Sequence, residues 1–215
     1  MSLGAIAQSN DDLGNWIMYF GANKIGEKTS IHTEIQYRNH TTVPNNIEQL
    51  LLRTGLNYHI SKKAMATAGY AYIGSYIYDS EPTGPEFKEN RIWQQFILRN
   101  TVGRVGFEHR YRTEQRWVNG EFSHRLRYRI MVTVPLNNKE ITPGTFFLGF
   151  YDEIFMNTEQ VFFDRNRLYA AVGYQVNPIT QVQVGALHQG VNGFGKYNLQ
   201  FALLFNPDLR KKDQE

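Results

Sequence analysis

The residues best able to do chemistry in this chain are arginines and glutamates, and they recur at a spacing of two. In "HRLRYRIMVTV" (124–134), Arg125, Arg127 and Arg129 alternate with Leu126, Tyr128 and Ile130, with Val132 continuing the apolar set. "RVGFEHRYRTEQR" (104–116) repeats the pattern, with Glu108, Arg110, Arg112, Glu114 and Arg116 set against Val105, Phe107, His109, Tyr111 and Thr113. Period two sends alternate side chains to opposite faces of an extended strand. Pairing the two runs through the 117–121 connection puts Glu114 beside Arg125, and Glu108 beside Arg129 or Met131. Guanidinium groups gathered in this way either lock onto carboxylates or hold a bound anion.

The same inequality appears elsewhere. His32, Glu34, Gln36 and Arg38 oppose Ile31, Thr33, Ile35 and Tyr37, while Gln49, Arg53 and Asn57 oppose Leu50, Leu52, Leu56 and Tyr58. Gln181, Gln183 and Gln189 oppose Val182, Val184 and Ala186. With Glu153 and Arg167 added, the charged face holds Arg38, Arg53, Arg110, Arg112, Arg125, Arg127, Arg129 and Arg167 against Glu34, Glu108, Glu114 and Glu153. That face is either a polar plug or an anion-attracting surface for a small solute.

Other chemistries are poorly served. No cysteine is present, which removes thiolate ligands, cysteine nucleophiles and disulfides. Ser123 and His124 are adjacent, so they point to opposite faces and form no dyad. His109 lacks a serine nearby in the pattern, and His32, His40, His59 and His188 lack metal-ligand spacing. The cluster of "FDRNR" (163–167) with Glu153 and Glu159 reads as a solvated loop mouth, with calcium or lipopolysaccharide contact as the alternative. Gly173, Gly185, Gly193 and Gly195 precede no helix and cradle no phosphate. Aromatics and arginines lie on opposite faces, which argues against a nucleic-acid surface. No cofactor, metal or catalytic activity is expected.

What must position these groups is a series of strands. Period-two runs fall at 14–24, 28–39, 48–60, 64–78, 88–101, 103–116, 121–136, 144–157, 164–177, 179–189 and 196–206. Many are longer than the five or six residues usual in soluble sheets and suit a membrane-spanning barrel. Connections at 24–28, 61–63, 100–104, 137–140 and 177–180 look short, and those at 40–47, 79–88, 117–121, 157–164 and 190–195 look long. Short periplasmic turns and longer outer loops are the expected asymmetry. An even strand number with both termini on one side is also expected, so the eleven runs predict ten or twelve strands.

Composition agrees. The 215 residues include thirteen Tyr and fourteen Phe and carry a net charge of only +3. No apolar run is long enough for a helical span. An arginine facing lipid at the bilayer midplane costs roughly 2–4 kcal/mol, so the arginine faces must turn inward. Leu126, Tyr128, Ile130 and Val132 then face lipid, as do Tyr197, Leu199, Phe201, Leu203 and Phe205 of the last strand. "KYNLQFALLF" resembles the terminal signal read by the barrel-insertion machinery, although a ten-residue tail follows it. Residues 1–13 read as a flexible segment, in which Ala5-Ile6-Ala7 resembles the end of a signal peptide. Residues 14–206 read as one barrel and 207–215 as a polar tail.

Several stretches together resemble the family called domain of unknown function 2490, predicted outer-membrane barrels of Gram-negative bacteria. They are "EIQYR" (34–38), "LLLRTGLNY" (50–58), "NRIWQQ" (90–95), "FEHRYRTEQRW" (107–117), "HRLRYRI" (124–130), "FYDEIFMN" (150–157), "FDRNRLYAAVGYQ" (163–175) and the closing strand. The resemblance implies a barrel in the bacterial outer membrane and no known activity. The expectation is therefore an all-β, antiparallel transmembrane barrel of 10–12 strands with an Arg/Glu-rich, largely plugged lumen. It would serve a structural role or pass small anionic solutes, with outer-membrane lipids as its surroundings. An outer-membrane lipid hydrolase and a soluble lipocalin-like barrel are the alternatives.

Overall fold

The computed structural model describes residues 13–42, 46–78, 84–158, 162–191 and 193–210. Alternating apolar and polar residues cannot bury one face of a helix, but they satisfy both faces of a strand. The described residues accordingly form strands and turns without a helix. The strands are β1 (Gly14–Lys24), β2 (Thr29–Asn39), β3 (Ile47–His59), β4 (Ala64–Ser75), β5 (Phe87–Val102) and β6 (Val105–Val118). They continue as β7 (Glu121–Pro135), β8 (Phe146–Asn157), β9 (Phe163–Asn177), β10 (Thr180–Val191) and β11 (Phe194–Phe205).

These strands close into a barrel in sequence order, each antiparallel to the next. The seam is different: β1 and β11 run parallel, from Gly14↔Asn198 to Gly21↔Phe205. The expected even number is thus corrected to eleven, and the barrel is antiparallel everywhere except at that seam. An odd count forces first and last strands to point the same way. Gly14 and Phe205 therefore lie at opposite ends of the barrel rather than on one side, as expected. We call these ends the N-terminal and C-terminal rims.

Following the register from Trp16 one way round reaches β5 at Phe87, and the other way at Thr101, a stagger of fourteen residues. At about 3.3 Å per residue and 4.8 Å between strands, this tilts the strands by about 40° from the barrel axis.

The expected division into short turns and long loops also needs correction. The 117–121 connection is the tight turn Asn119–Gly120, with φ of 47° and 93°, the left-handed pair that suits a two-residue hairpin. The 190–195 connection likewise shrinks, since β10 runs to Val191 and β11 begins at Phe194. Conversely, the turn expected at 137–140 runs through 136–145, because Asn137 Nδ2 holds the Gly144 carbonyl at 2.9 Å and Asn138 Nδ2 holds Thr145 Oγ1 at 2.7 Å.

The segment 1–13 lies outside the described residues except for Leu13. The tail, described to Arg210, continues the seam. Lys24 donates its amide to the Pro207 carbonyl at 2.9 Å, and Leu209 donates to the Lys24 carbonyl at 2.8 Å.

Candidate anion-binding lumen

The alternation sorts side chains by the wall. Outside are Leu126, Tyr128, Ile130, Val132, Tyr197, Leu199, Phe201, Leu203 and Phe205, all half-buried to exposed. Inside are all thirteen charged residues singled out from sequence, with Glu114 wholly shielded from solvent. Many charges are buried and many large apolar groups exposed, the reverse of their usual distribution.

Register creates a local problem: Arg110 faces Arg129 and Arg112 faces Arg127 across β6 and β7. Like charges directly opposite are destabilising. Carboxylates set diagonally relieve them. Glu114 lies 2.7 Å from Arg127, 3.4 Å from Arg91 and 3.8 Å from both Arg53 and Arg112. Glu153 reaches Arg110 at 2.6 Å and Arg127 at 2.8 Å, and Glu108 reaches Arg129 at 2.5 Å. Glu34 holds Arg53 at 2.8 Å.

Although Glu114 and Arg125 are register partners, Arg125 instead pairs with Asp164 at 3.0 Å. Arg116 pairs with Glu89 at 2.5 Å, which also holds Arg91 at 2.5 Å. Sequence reading missed Glu89 and Arg91, and it placed Asp164 in a solvated loop mouth, whereas Asp164 stands in β9 and pairs with a lumen arginine. The signal for the first two was present in "KENR", where Glu89 and Arg91 alternate with Lys88 and Asn90. It was masked because Trp93 and Ile97 share the inward face.

Aromatic rings take up the arginine excess. Arg53 and Arg112 lie over Trp93 at 5.4 and 4.9 Å, and Arg127 over Phe155 at 4.3 Å. A ring face attracts a guanidinium without adding a charge. Among the described residues, Arg38 and Arg167 are the two inward arginines with no carboxylate oxygen within 4.0 Å. Both lie over the Trp16 ring, at 3.9 and 4.9 Å. Arg38 is steadied by Gln36 and by Gln49 Oε1 at 2.7 Å, and Arg167 by Gln189 at 2.8 Å.

A cavity of about 990 Å³ remains in the lumen, lined by Arg38, Arg112, Arg167 and Trp16 among others. Lys196 reaches Glu48 across it at 3.3 Å.

The other candidate groups fall as follows among the described residues. Ser123 and His124 stay on opposite faces; His124 contacts Thr113 at 2.6 Å and His109 contacts Tyr128 at 2.8 Å, both on the outer wall. Ser30 Oγ and His59 Nε2 are 2.9 Å apart, a pairing that sequence reading missed. That hydroxyl is buried, accepts a bond from Asn57 at 3.0 Å and does not line the cavity. The described residues hold no cluster of His, Asp or Glu suited to a metal ion. Glu159 lies outside the described residues.

A closed β-barrel with an ionised interior and an apolar exterior is the class of protein that this geometry defines. The chain belongs to the family described as Protein of unknown function (DUF2490), whose model matches residues 13–200. No curated protein and no solved structure matches it.

Proposed function

We propose that the protein is a non-enzymatic barrel of the bacterial outer membrane whose lumen is kept narrow by its own Arg–Glu lattice and accepts small anionic solutes. The observation that carries this reading is the inversion of the wall. Glu114, Arg112 and Arg127 are buried while Val184, Leu168 and Phe201 are exposed at 53%, 50% and 43%. Such a wall is stable where lipid replaces water outside. The tilt of about 40° derived from the register also falls in the range of membrane barrels. On this reading outer-membrane lipids are the partners of the outer face, and the insertion machinery reads β11.

The arginine excess makes an anion the preferred solute, because an anion in the lumen meets guanidinium donors that its own carboxylates leave unused. The purified protein should need detergent to stay in solution and should migrate faster on a gel when unheated. In a planar bilayer it should give small, anion-selective currents. A chain that stays soluble without detergent would overturn the membrane reading, and cation selectivity would overturn the preference for anions.

A further inference from the structure

We infer that the lumen holds an amphiphilic anion: a carboxylate or phosphate head on a short apolar tail, with its head at Arg38 and Arg167 and its tail toward the C-terminal rim. This rests on the anion-binding reading above and specifies the solute class. The head site is the pair of guanidinium groups over Trp16. A guanidinium offers five N–H donors. Arg167 uses only its Nε on Gln189, so both of its terminal nitrogens lack a partner among the described residues. Arg38 is held by two glutamines and has no carboxylate oxygen within 4.0 Å among the described residues. The buried Trp16 Nε1 and Gln200 Oε1 also lack hydrogen-bond partners there, and both residues line the cavity.

The tail site follows from strand direction. β1, β9 and β11 all run from the N-terminal to the C-terminal rim. Beyond Trp16, β1 presents Met18 and then Phe20 to the lumen. Beyond Gln200, β11 presents Ala202 and Leu204, and beyond Arg167, β9 presents Tyr169. Trp16, Met18, Tyr169 and Ala202 form one apolar cluster, with Phe20 and Leu204 packed against it. On β1 and β11, neighbours at the seam, cationic and amide groups therefore give way to an apolar stripe along a single cavity, edged on the β10 side by Gln183 and Gln181. A bare anion would leave that stripe against water. An uncharged hydrocarbon would leave the guanidiniums without a counter-charge.

The test is calorimetric titration of the protein in phosphatidylcholine nanodiscs with acetate, butyrate and hexanoate, with empty nanodiscs as the blank. Each methylene that enters the stripe should tighten binding by about fourfold. Arg38→Gln with Arg167→Gln should weaken every member more than tenfold. Leu204→Gln, which leaves all charges in place, should flatten the dependence on chain length. Equal affinity for all three carboxylates, lost in the arginine variant, would overturn the tail and leave the anion-binding lumen standing. Chain-length dependence that persists in the arginine variant would mean partition into lipid and would overturn the assignment. No heat from any carboxylate would overturn the anion-binding reading itself. Retention of the fast-migrating unheated band certifies that each variant is folded.

Discussion

Glu114 Oε1 accepts a hydrogen bond from Arg127 Nη1 at 2.7 Å while the same carboxylate faces Arg53, Arg91 and Arg112. One acid thus offsets the repulsion among guanidiniums contributed by four different strands. Replacing it by glutamine keeps the shape and removes the charge. Breaking a buried pair costs about 3–5 kcal/mol because the partner is left uncompensated. Glu114→Gln should therefore lower stability by about that amount in urea unfolding from lipid vesicles. A loss below about 1 kcal/mol, the ordinary worth of an exposed pair, would mean that lumen water already screens this site.

The outer wall makes the opposite demand. Phe201 lies midway along β11, opposite Val184 and Ile17. Phe201→Arg should cost roughly 2–4 kcal/mol in a bilayer if this surface faces lipid. A surface substitution on a water-soluble barrel is ordinarily worth within about 0.5 kcal/mol. Reversible urea titration of the two chains separates the cases, and a neutral result would remove the lipid-facing assignment of this strand.

Trp93 is fully buried and lies across the glycines of the neighbouring strands. A Cβ added at Gly69 would meet the Thr54 carbonyl oxygen first, and would stand 2.7 Å from the Gly55 Cα and 2.8 Å from Trp93 Cζ2. Overpacking of this kind costs about 1–3 kcal/mol. Gly69→Ala should destabilise the barrel by at least that amount and shift the tryptophan emission, since both the β3 backbone at Thr54 and Gly55 and the indole beneath Arg53 and Arg112 must shift. Unchanged emission together with unchanged stability would show that the wall yields instead.

Much of this architecture was legible because alternation is strong where both faces have a clear character. In β7, Arg125, Arg127 and Arg129 against Leu126, Tyr128 and Ile130 leave one assignment of faces. β5 was legible as a strand but not as part of the lattice, since Trp93 and Ile97 dilute the polarity of the face that carries Glu89 and Arg91. Closure was not legible: the parallel pairing of β1 with β11 depends on the stagger accumulated round the whole wall. Turn length was misjudged where strands extend further than their polar ends suggest, as at Val118 and Glu121 around Asn119–Gly120. The special standing of Arg38 and Arg167 came from neither residue's own strand. It arises because β2 and β9, distant in sequence, both aim a guanidinium at Trp16.

The tail offers a prediction with a defined pH dependence. Asp208 accepts hydrogen bonds from Arg210 Nε at 2.9 Å and Nη2 at 2.6 Å, and these hold its carboxyl down to about 2. Arg210 also contacts Glu27 in the turn after β1. A carboxyl depressed in the folded state stabilises its contacts fully above its unfolded value near 3.9 and loses that contribution as pH falls through the folded value. Carbon-detected NMR should place the Asp208 midpoint near 2, and Arg210→Ala should return it toward about 3.9. In the same variant the Leu209 amide, which bonds the Lys24 carbonyl at 2.8 Å, should exchange faster with solvent. If the midpoint moves while exchange does not, backbone pairing alone anchors the tail to β1 and the ion pairs are superficial. If both move together, Arg210 is the clasp that extends the parallel seam beyond Phe205.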